Sequence, residues 1–248
     1  MSATDANPGN AKRSGRIATV ERIVDHNDDT RSLFLRSAET PLSGFIPGQF
    51  ISIAIPLPGE TRSRPYSIAS SPEDGEPFEL CFNRVPGGAG VEHLFARRIG
   101  DRISFTGPYG LFTLDRPPDT ELVFIAEGTG IAPIRPMIRR ALAIATAHPI
   151  RLLYGALDDA HLLYRRELEQ ASRANSGFQI EWITSNRSGG IEWLYAELLR
   201  RAEQRWIKAD SVRARHVYIC GVGAGVLRLR DLLRGSGYER RAVKYEQW

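Results

Sequence analysis

The stretch "ELVFIAEGTGIAPIRPM", Glu121 to Met137, runs from apolar residues into Gly128, Thr129 and Gly130 and then into a helical pattern, "IRPMIRRALAIATA". A strand, a glycine turn and a helix in that order open an α/β unit. The same grammar continues with "IRLLYGAL" then "LLYRRELEQASR", "FQIEWITS" then "EWLYAELLRRAEQ", "HVYICG" then "VLRLRDLLRGSG", and a closing "RAVKYEQW". Strands that alternate with helices predict a parallel sheet with helices packed on it. Ligands are then expected at the carboxyl ends of the strands.

Upstream the pattern is different. From Arg16 to Leu114 the apolar residues come in short runs broken by turn signals: "RIATVERIV", "TRSLFLRSA", "GQFISIAIP", "RPYSIAS", "FELCFNRV" and "DRISFTGP". Such spacing reads as an antiparallel barrel or sandwich, with Pro-Gly turns in "IPGQF" and "PLPGE" and one helical patch, "GVEHLFARRIG". The paired prolines of "LDRPPDTE", Leu114 to Glu121, can continue neither a helix nor a central strand and mark the linker. The expected division is a disordered tail over 1–15, an antiparallel β-barrel domain over 16–115 and an α/β parallel-sheet domain over 120–248.

Bulk composition narrows the function. The chain has 248 residues, 42% hydrophobic and 25% charged, which suits two ordinary globular domains. The net charge of +4 comes almost wholly from Arg; it would steer an acidic partner or simply reflect coding bias. No run of Lys and Arg and no nucleic-acid module accompanies it, so binding to DNA or RNA is not expected. The two cysteines, Cys81 and Cys220, cannot supply the four thiolates of an iron–sulfur cluster, and they do not make a disulfide framework. No metal site is expected. The polar start "MSATDANPGNAKRSG" has no apolar leader, and no run reaches the roughly 18 apolar residues of a membrane span. A cytoplasmic setting without membrane contact is the expectation.

Three segments carry chemistry. In "RSRPYSIASSP", Arg62 to Pro72, strand alternation puts Arg64, Tyr66 and Ile68 on one face and Pro65, Ser67 and Ala69 on the other. A forked cation and a flat ring on one face suit a ligand that is anionic at one end and flat at the other. They equally suit a barrel-edge strand whose Arg and Tyr snorkel. The Gly128–Thr129–Gly130 turn is neither GxGxxG nor a Walker loop; it reads as a backbone cradle for a phosphate or carboxamide, or as a plain tight turn. In "NRVPGGAGVEHLF", Gly87, Gly88 and Gly90 precede a helix, so this loop is either a second close approach to a pyrophosphate or a hairpin tip.

The order of these pieces, with "RPYS", "GPYGLFTL", "GTGIAP", "YICG" and the closing "YEQW", resembles the ferredoxin–NADP reductase family over nearly the whole chain after the tail. The resemblance implies a flavin-binding barrel followed by a nicotinamide-binding α/β domain, with FAD and NADPH or NADH as cofactors. It implies that Arg64 contacts the flavin phosphates, that Tyr66 packs on the isoalloxazine and that Ser67 lies near its reactive N5. The Gly87–Gly90 loop would hold the pyrophosphate, and Thr129 and Cys220 would approach the nicotinamide. Ser185 and Arg187 in "TSNRSGG" stand where a 2′-phosphate would be received. Trp248 would stack on the exposed flavin face, and Glu246 would handle a proton or position the nicotinamide.

The chain departs from the family pattern at three places. Glu127, before Gly-Thr-Gly, is a carboxylate that repels a phosphate unless it is turned away or protonated. Val222 and Gly225 replace a Pro and a Met after Cys220–Gly221, which predicts a more pliable turn. Val91 replaces a capping Ser or Thr, leaving backbone amides to serve. The leading expectation is an FAD enzyme that takes hydride from NAD(P)H and passes electrons singly to a separate acidic ferredoxin or flavodoxin. Reduction of free flavin, iron or quinone remains open. So does a flavin-bound electron-transfer or assembly subunit without nicotinamide turnover.

Overall fold

The computed structural model describes residues 15–85, 87–114, 116–185 and 189–248. The expected tail, apart from Gly15, and Arg187 lie outside them. Strands β1 (Arg16–Asp25), β2 (Thr30–Ser37), β3 (Phe50–Leu57), β4 (Glu60–Ser67), β5 (Phe78–Asn83) and β6 (Arg102–Tyr109) form one antiparallel sheet in the order β4-β3-β6-β1-β2-β5. The sheet curls until its two edges meet: Ile68 bridges Leu80, and Ala69 N–H donates to the Glu79 carbonyl at 2.8 Å. Curling lets alternate residues such as Leu33, Leu35, Ile51, Ile53, Ile55 and Phe105 fill a common interior. The helical patch is realised as α1 (Ala89–Phe95), which crosses between β5 and β6.

The second sheet is parallel throughout. It holds β7 (Leu122–Glu127), β8 (Ile150–Ala156), β9 (Phe178–Thr184), β10 (His216–Gly221) and β11 (Val243–Gln247) in the order β11-β10-β7-β8-β9. Strand alternation sends Leu122, Phe124 and Ala126 to one face, against α2 (Ile131–Ala143) and α3 (Arg165–Ala174), and Val123 and Ile125 to the other. The second face is covered by α4 (Gly190–Glu203) and α5 (Ala224–Gly235). The chain builds outward from β7 through β8 to β9, then returns to add β10 on β7's other side. The reversal opens a crevice at the carboxyl ends of β7 and β10, where such folds bind ligands. Among the described residues no helix is long and apolar enough to cross a membrane.

One expected helix starts late. "LLYRRELEQASR" is helical only from Arg165, because Leu162 and Leu163 turn into the core, Leu163 N–H donates to the Tyr154 hydroxyl, and Tyr164 takes a positive φ of 56°. That turn delivers the Tyr164 hydroxyl to Glu79 of the barrel at 2.8 Å. Glu79 also accepts from Ser32 at 2.6 Å and pairs with Arg135 of α2 at 2.7 Å. Arg135 pairs in turn with Glu167 of α3 and donates to the Ala69 carbonyl. Farther out, Arg139 and Arg140 pair with Asp74 and Glu73 on the barrel. The two sheets are thus joined by a buried ionic cluster seated in a shared apolar core of Ala69, Cys81, Phe112 and Leu114 against α2.

Candidate functional site

On the barrel, Arg64 and Tyr66 share a face, as strand alternation requires. They converge on the start of α1, where a Cβ on Gly90 would come within 3.2 Å of Arg64 Cγ and 3.3 Å of the Tyr66 hydroxyl. A glycine there lets the helix backbone sit directly on this pair. The Arg64 guanidinium is exposed and donates only to its neighbour's carbonyl, Ser63 O; no carboxylate pairs with it among the described residues. Tyr66 packs edge-on against Phe82 at 5.6 Å, and burial pushes its phenol up to about 12, so it stays neutral. Ser67 points the other way and is 4% exposed, with a hydroxyl that has no hydrogen-bond partner. An unpartnered buried hydroxyl is costly unless a ligand completes it.

The loop before α1 presents Gly87 at a φ of 77°, and Gly88 stands at the N-cap of α1 with no side-chain cap. Val91 supplies none, so the first backbone N–H groups of the helix are left without a side-chain cap. A free cation, a neutral phenol, an orphaned hydroxyl and uncapped amides fit a flat cofactor with a diphosphate tail.

The opposite wall comes from the crevice. Gly128 to Gly130 form a tight helical turn leading into α2. A Cβ on Gly130 would lie 2.3 Å from the Cys220 carbonyl oxygen, so only glycine lets the β7 turn lie against the end of β10. Thr129 reaches across to the barrel, its hydroxyl donating to Asn83 Oδ1 at 3.1 Å. A cavity of about 70 Å³ lies between the halves, lined by Thr30 and Asn83 on one side and Thr129 and Val222 on the other. Cys220 ends β10 fully buried, and desolvation, with the charge of Glu246 second, holds its thiol well above the usual range. It is a neutral packing group, not a thiolate.

β11 closes this wall. Glu246 lies opposite Cys220 in the strand pairing; one of its carboxylate oxygens is buried without a partner, and burial pushes the group up to about 7. Trp248 bonds backbone to backbone with Gly221 and Gly223, which brings the chain's last residue beside the end of β10. The indole is 38% exposed, which leaves it a free surface in front of Cys220.

Other expectations change. Ser185 is buried, and its hydroxyl donates to the Leu157 carbonyl at 3.0 Å, tying together the ends of β8 and β9. With that proton committed, it has none to give a phosphate. The turn after Cys220 is braced rather than pliable: Glu127 has turned away from the glycine turn and accepts the Val222 N–H at 3.0 Å. Burial raises the Glu127 carboxyl above its ordinary range, opposed by that amide and by Tyr195. Two contributors escaped sequence reading, Asn83 and Tyr195. The first looked like the end of a strand, and the second like one more apolar position of a helix.

Comparison with known proteins agrees with this geometry. Residues 18–114 match the oxidoreductase FAD-binding domain family and residues 124–226 the oxidoreductase NAD-binding domain family. The chain is 35% identical over 232 residues to ferredoxin–NADP reductase B of Sorangium cellulosum, covering 88% of this chain and 91% of that protein. It is 27% identical to the toluate 1,2-dioxygenase electron transfer component of Pseudomonas putida, over 96% of this chain and 68% of that one. The fold superposes on ferredoxin–NADP+ reductase from Plasmodium falciparum with a TM-score of 0.80 at 20% identity, covering 97% and 98% of the two chains.

Proposed function

We propose that this chain, which belongs to the ferredoxin–NADP reductase family of FAD- and NAD(P)-binding oxidoreductases, takes hydride from NAD(P)H and passes the electrons singly to a separate ferredoxin or flavodoxin. The observation that carries this reading is that the Gly128–Gly130 turn, packed against the Cys220 carbonyl at the crevice of the parallel sheet, meets the barrel wall through Thr129 and Asn83. The parts of the reading are assigned to residues 16–115 for flavin and 120–248 for nicotinamide, in a cytoplasmic protein whose two cysteines are both free.

When bound, FAD supplies the conversion between two-electron hydride chemistry and one-electron delivery. The protein's part is to hold and orient. Arg64 would hold phosphate oxygens, the Gly87–Gly90 backbone would receive the diphosphate, and the Tyr66 ring would pack against the flat ring system. Ser67 would offer its unpartnered hydroxyl to the ring. Thr129 and the neutral Cys220 thiol shape the seat of the nicotinamide, and Trp248 must swing out to admit it. Glu246, with its carboxyl near 7, holds or yields a proton at its buried oxygen at working pH.

Two names among the relatives bear on the acceptor. A ferredoxin–NADP reductase supports a small redox protein, and an electron transfer component of a dioxygenase supports delivery to an oxygenase partner. Anaerobic mixing with NADPH or NADH should bleach the flavin band, and oxidation by a ferredoxin or flavodoxin should slow as salt rises, because docking to an acidic carrier is screened. Failure of both coenzymes where dithionite succeeds would refute nicotinamide turnover. A salt-independent rate with every carrier tried would point to a small-molecule acceptor.

A further inference from the structure

Glu127 has no part in the reading above, yet it stands at the switch point of the sheet. It is the last residue of β7 and only 7% exposed. Its Oε2 accepts the Val222 N–H at 3.0 Å and the Tyr195 hydroxyl at 3.3 Å. Tyr195 comes from α4 and is itself buried. Two glycines make room for this pair. A Cβ on Gly225 would lie 2.2 Å from the Tyr195 ring, and one on Gly221 would lie 2.5 Å from its hydroxyl and 3.0 Å from Glu127 Cβ.

The turn between those glycines therefore has one wall made of Tyr195 and Glu127. Its other wall is the end of the chain: Trp248 N–H donates to the Gly221 carbonyl, and Gly223 N–H donates to the Trp248 carbonyl. Between the walls Val222 is 41% exposed and lines the interdomain cavity beside Thr129, across from Thr30 and Asn83 of the barrel. A main-chain amide held by a buried carboxylate is a strong, directional tether, since a charged acceptor makes the better hydrogen bond. An apolar residue at 127 would fill the space and leave the Val222 amide without an acceptor.

We infer that Glu127 and Tyr195 are positioning residues for the nicotinamide coenzyme: together they latch the Gly221–Gly223 turn so that Val222 stands beside Thr129 and faces the barrel residues Thr30 and Asn83 across an open cavity. This rests on the reading of that cavity as the nicotinamide seat. The latch acts through the Val222 main-chain amide, with Glu127 itself at the cavity wall. Its effect is on coenzyme affinity and on protection of the Val222 amide, with the chemical step left alone.

The test uses the FAD-loaded full chain as Glu127→Ala, Glu127→Gln and Tyr195→Phe. Amide hydrogen exchange is followed over residues 219–226, NADP+ and NAD+ affinities come from the flavin difference spectrum, and kcat and KM are measured with NADPH and NADH. Loss of one charge-assisted bond predicts about a tenfold or greater rise in exchange at Val222 and in coenzyme Kd and KM for Glu127→Ala, with kcat within about twofold. Glu127→Gln keeps a carbonyl acceptor and should restore most of the protection and affinity. Tyr195→Phe should fall between them, and it carries the test if Glu127→Ala does not fold. Unchanged exchange and affinity in Glu127→Ala or, failing that variant, in Tyr195→Phe would overturn the latch. So would equal losses in the Ala and Gln variants, or a fall in kcat with KM unmoved. A wild-type protein bleached by neither coenzyme overturns the nicotinamide reading as well. A bleached wild type with unaltered variants overturns the latch alone.

Discussion

Replacing Arg135 by Ala should loosen the joint between the two sheets far more than a surface ion pair would. Glu79 is 3% exposed, so the charge left behind cannot be rehydrated without opening the core. It would keep only two neutral donors, the Tyr164 hydroxyl at 2.8 Å and the Ser32 hydroxyl at 2.6 Å. Breaking a buried pair by removing one partner costs about 3–5 kcal/mol, and the two remaining hydrogen bonds put this site at the lower end, about 3 kcal/mol. Glu167, the other partner of Arg135, is 39% exposed at its side chain and can turn to water, so it adds little. Glu79→Gln should cost less than Arg135→Ala, because Arg135 keeps Glu167 as counter-charge and the amide oxygen still accepts. The double variant Arg135→Met with Glu79→Gln should recover part of the loss, since no buried charge is then left unpaired.

Urea unfolding followed by both flavin fluorescence and far-ultraviolet circular dichroism would measure this. For a chain of this size about 3 kcal/mol corresponds to a fall in Tm on the order of 6–12 °C. Arg135→Ala costing less than about 1 kcal/mol, or Glu79→Gln costing more than Arg135→Ala, would refute the argument that the buried charge is what makes the joint. Equal losses in the single and double variants would show that packing of the Arg135 stem, rather than its charge, is what matters.

The double variant Arg64→Ala with Tyr66→Ala should lose several kcal/mol of FAD affinity, at roughly 1–3 kcal/mol for the charge-assisted contacts alone; full flavin content after desalting would count against both assignments. The Glu246 contribution to stability should fall as pH rises from about 4.5 to about 7 and level off above, against an opposite contribution from His26 and His93, which burial holds below their ordinary value. The unfolded chain releases the Glu246 proton near 4.5 while the fold keeps it until about 7, worth about 3 kcal/mol; Glu246→Gln should flatten that part of the profile in urea titrations, and an unchanged slope would locate the effect elsewhere. Deleting Trp248 should perturb the flavin spectrum and improve use of NADH more than of NADPH, because the indole occupies the space before Cys220 and the coenzyme with fewer anchors suffers most from it; an unaltered spectrum and preference would leave it a packing residue.

Local grammar made the fold legible. Apolar runs with period two and turn residues marked the barrel, and strands alternating with helices marked the parallel sheet, because both patterns follow from which side of an element must be dry. The glycines of the site were legible for a related reason: a residue such as Gly130 announces a close approach even when its neighbour, here the Cys220 carbonyl, is ninety positions away. What such a signal cannot name is the neighbour. Glu127 read as a carboxylate in the wrong place because its partners, the Val222 amide and the Tyr195 hydroxyl, come from the turn after β10 and from α4 and meet it only after the sheet has reversed direction at β7. Ser185 misled in the opposite sense. A hydroxyl after a strand is equally apt to face a ligand or to tie down the next loop, and only the position of the Leu157 carbonyl settles where its single proton goes. Glu79 and Arg135 were invisible for the same cause. Each is an ordinary charge on an ordinary strand or helix until the two domains pack and water is removed from between them. The features hardest to read in this sequence are thus its long-range polar contacts, whose meaning depends on burial that local pattern does not encode, and these are the contacts through which the two halves are held at working distance.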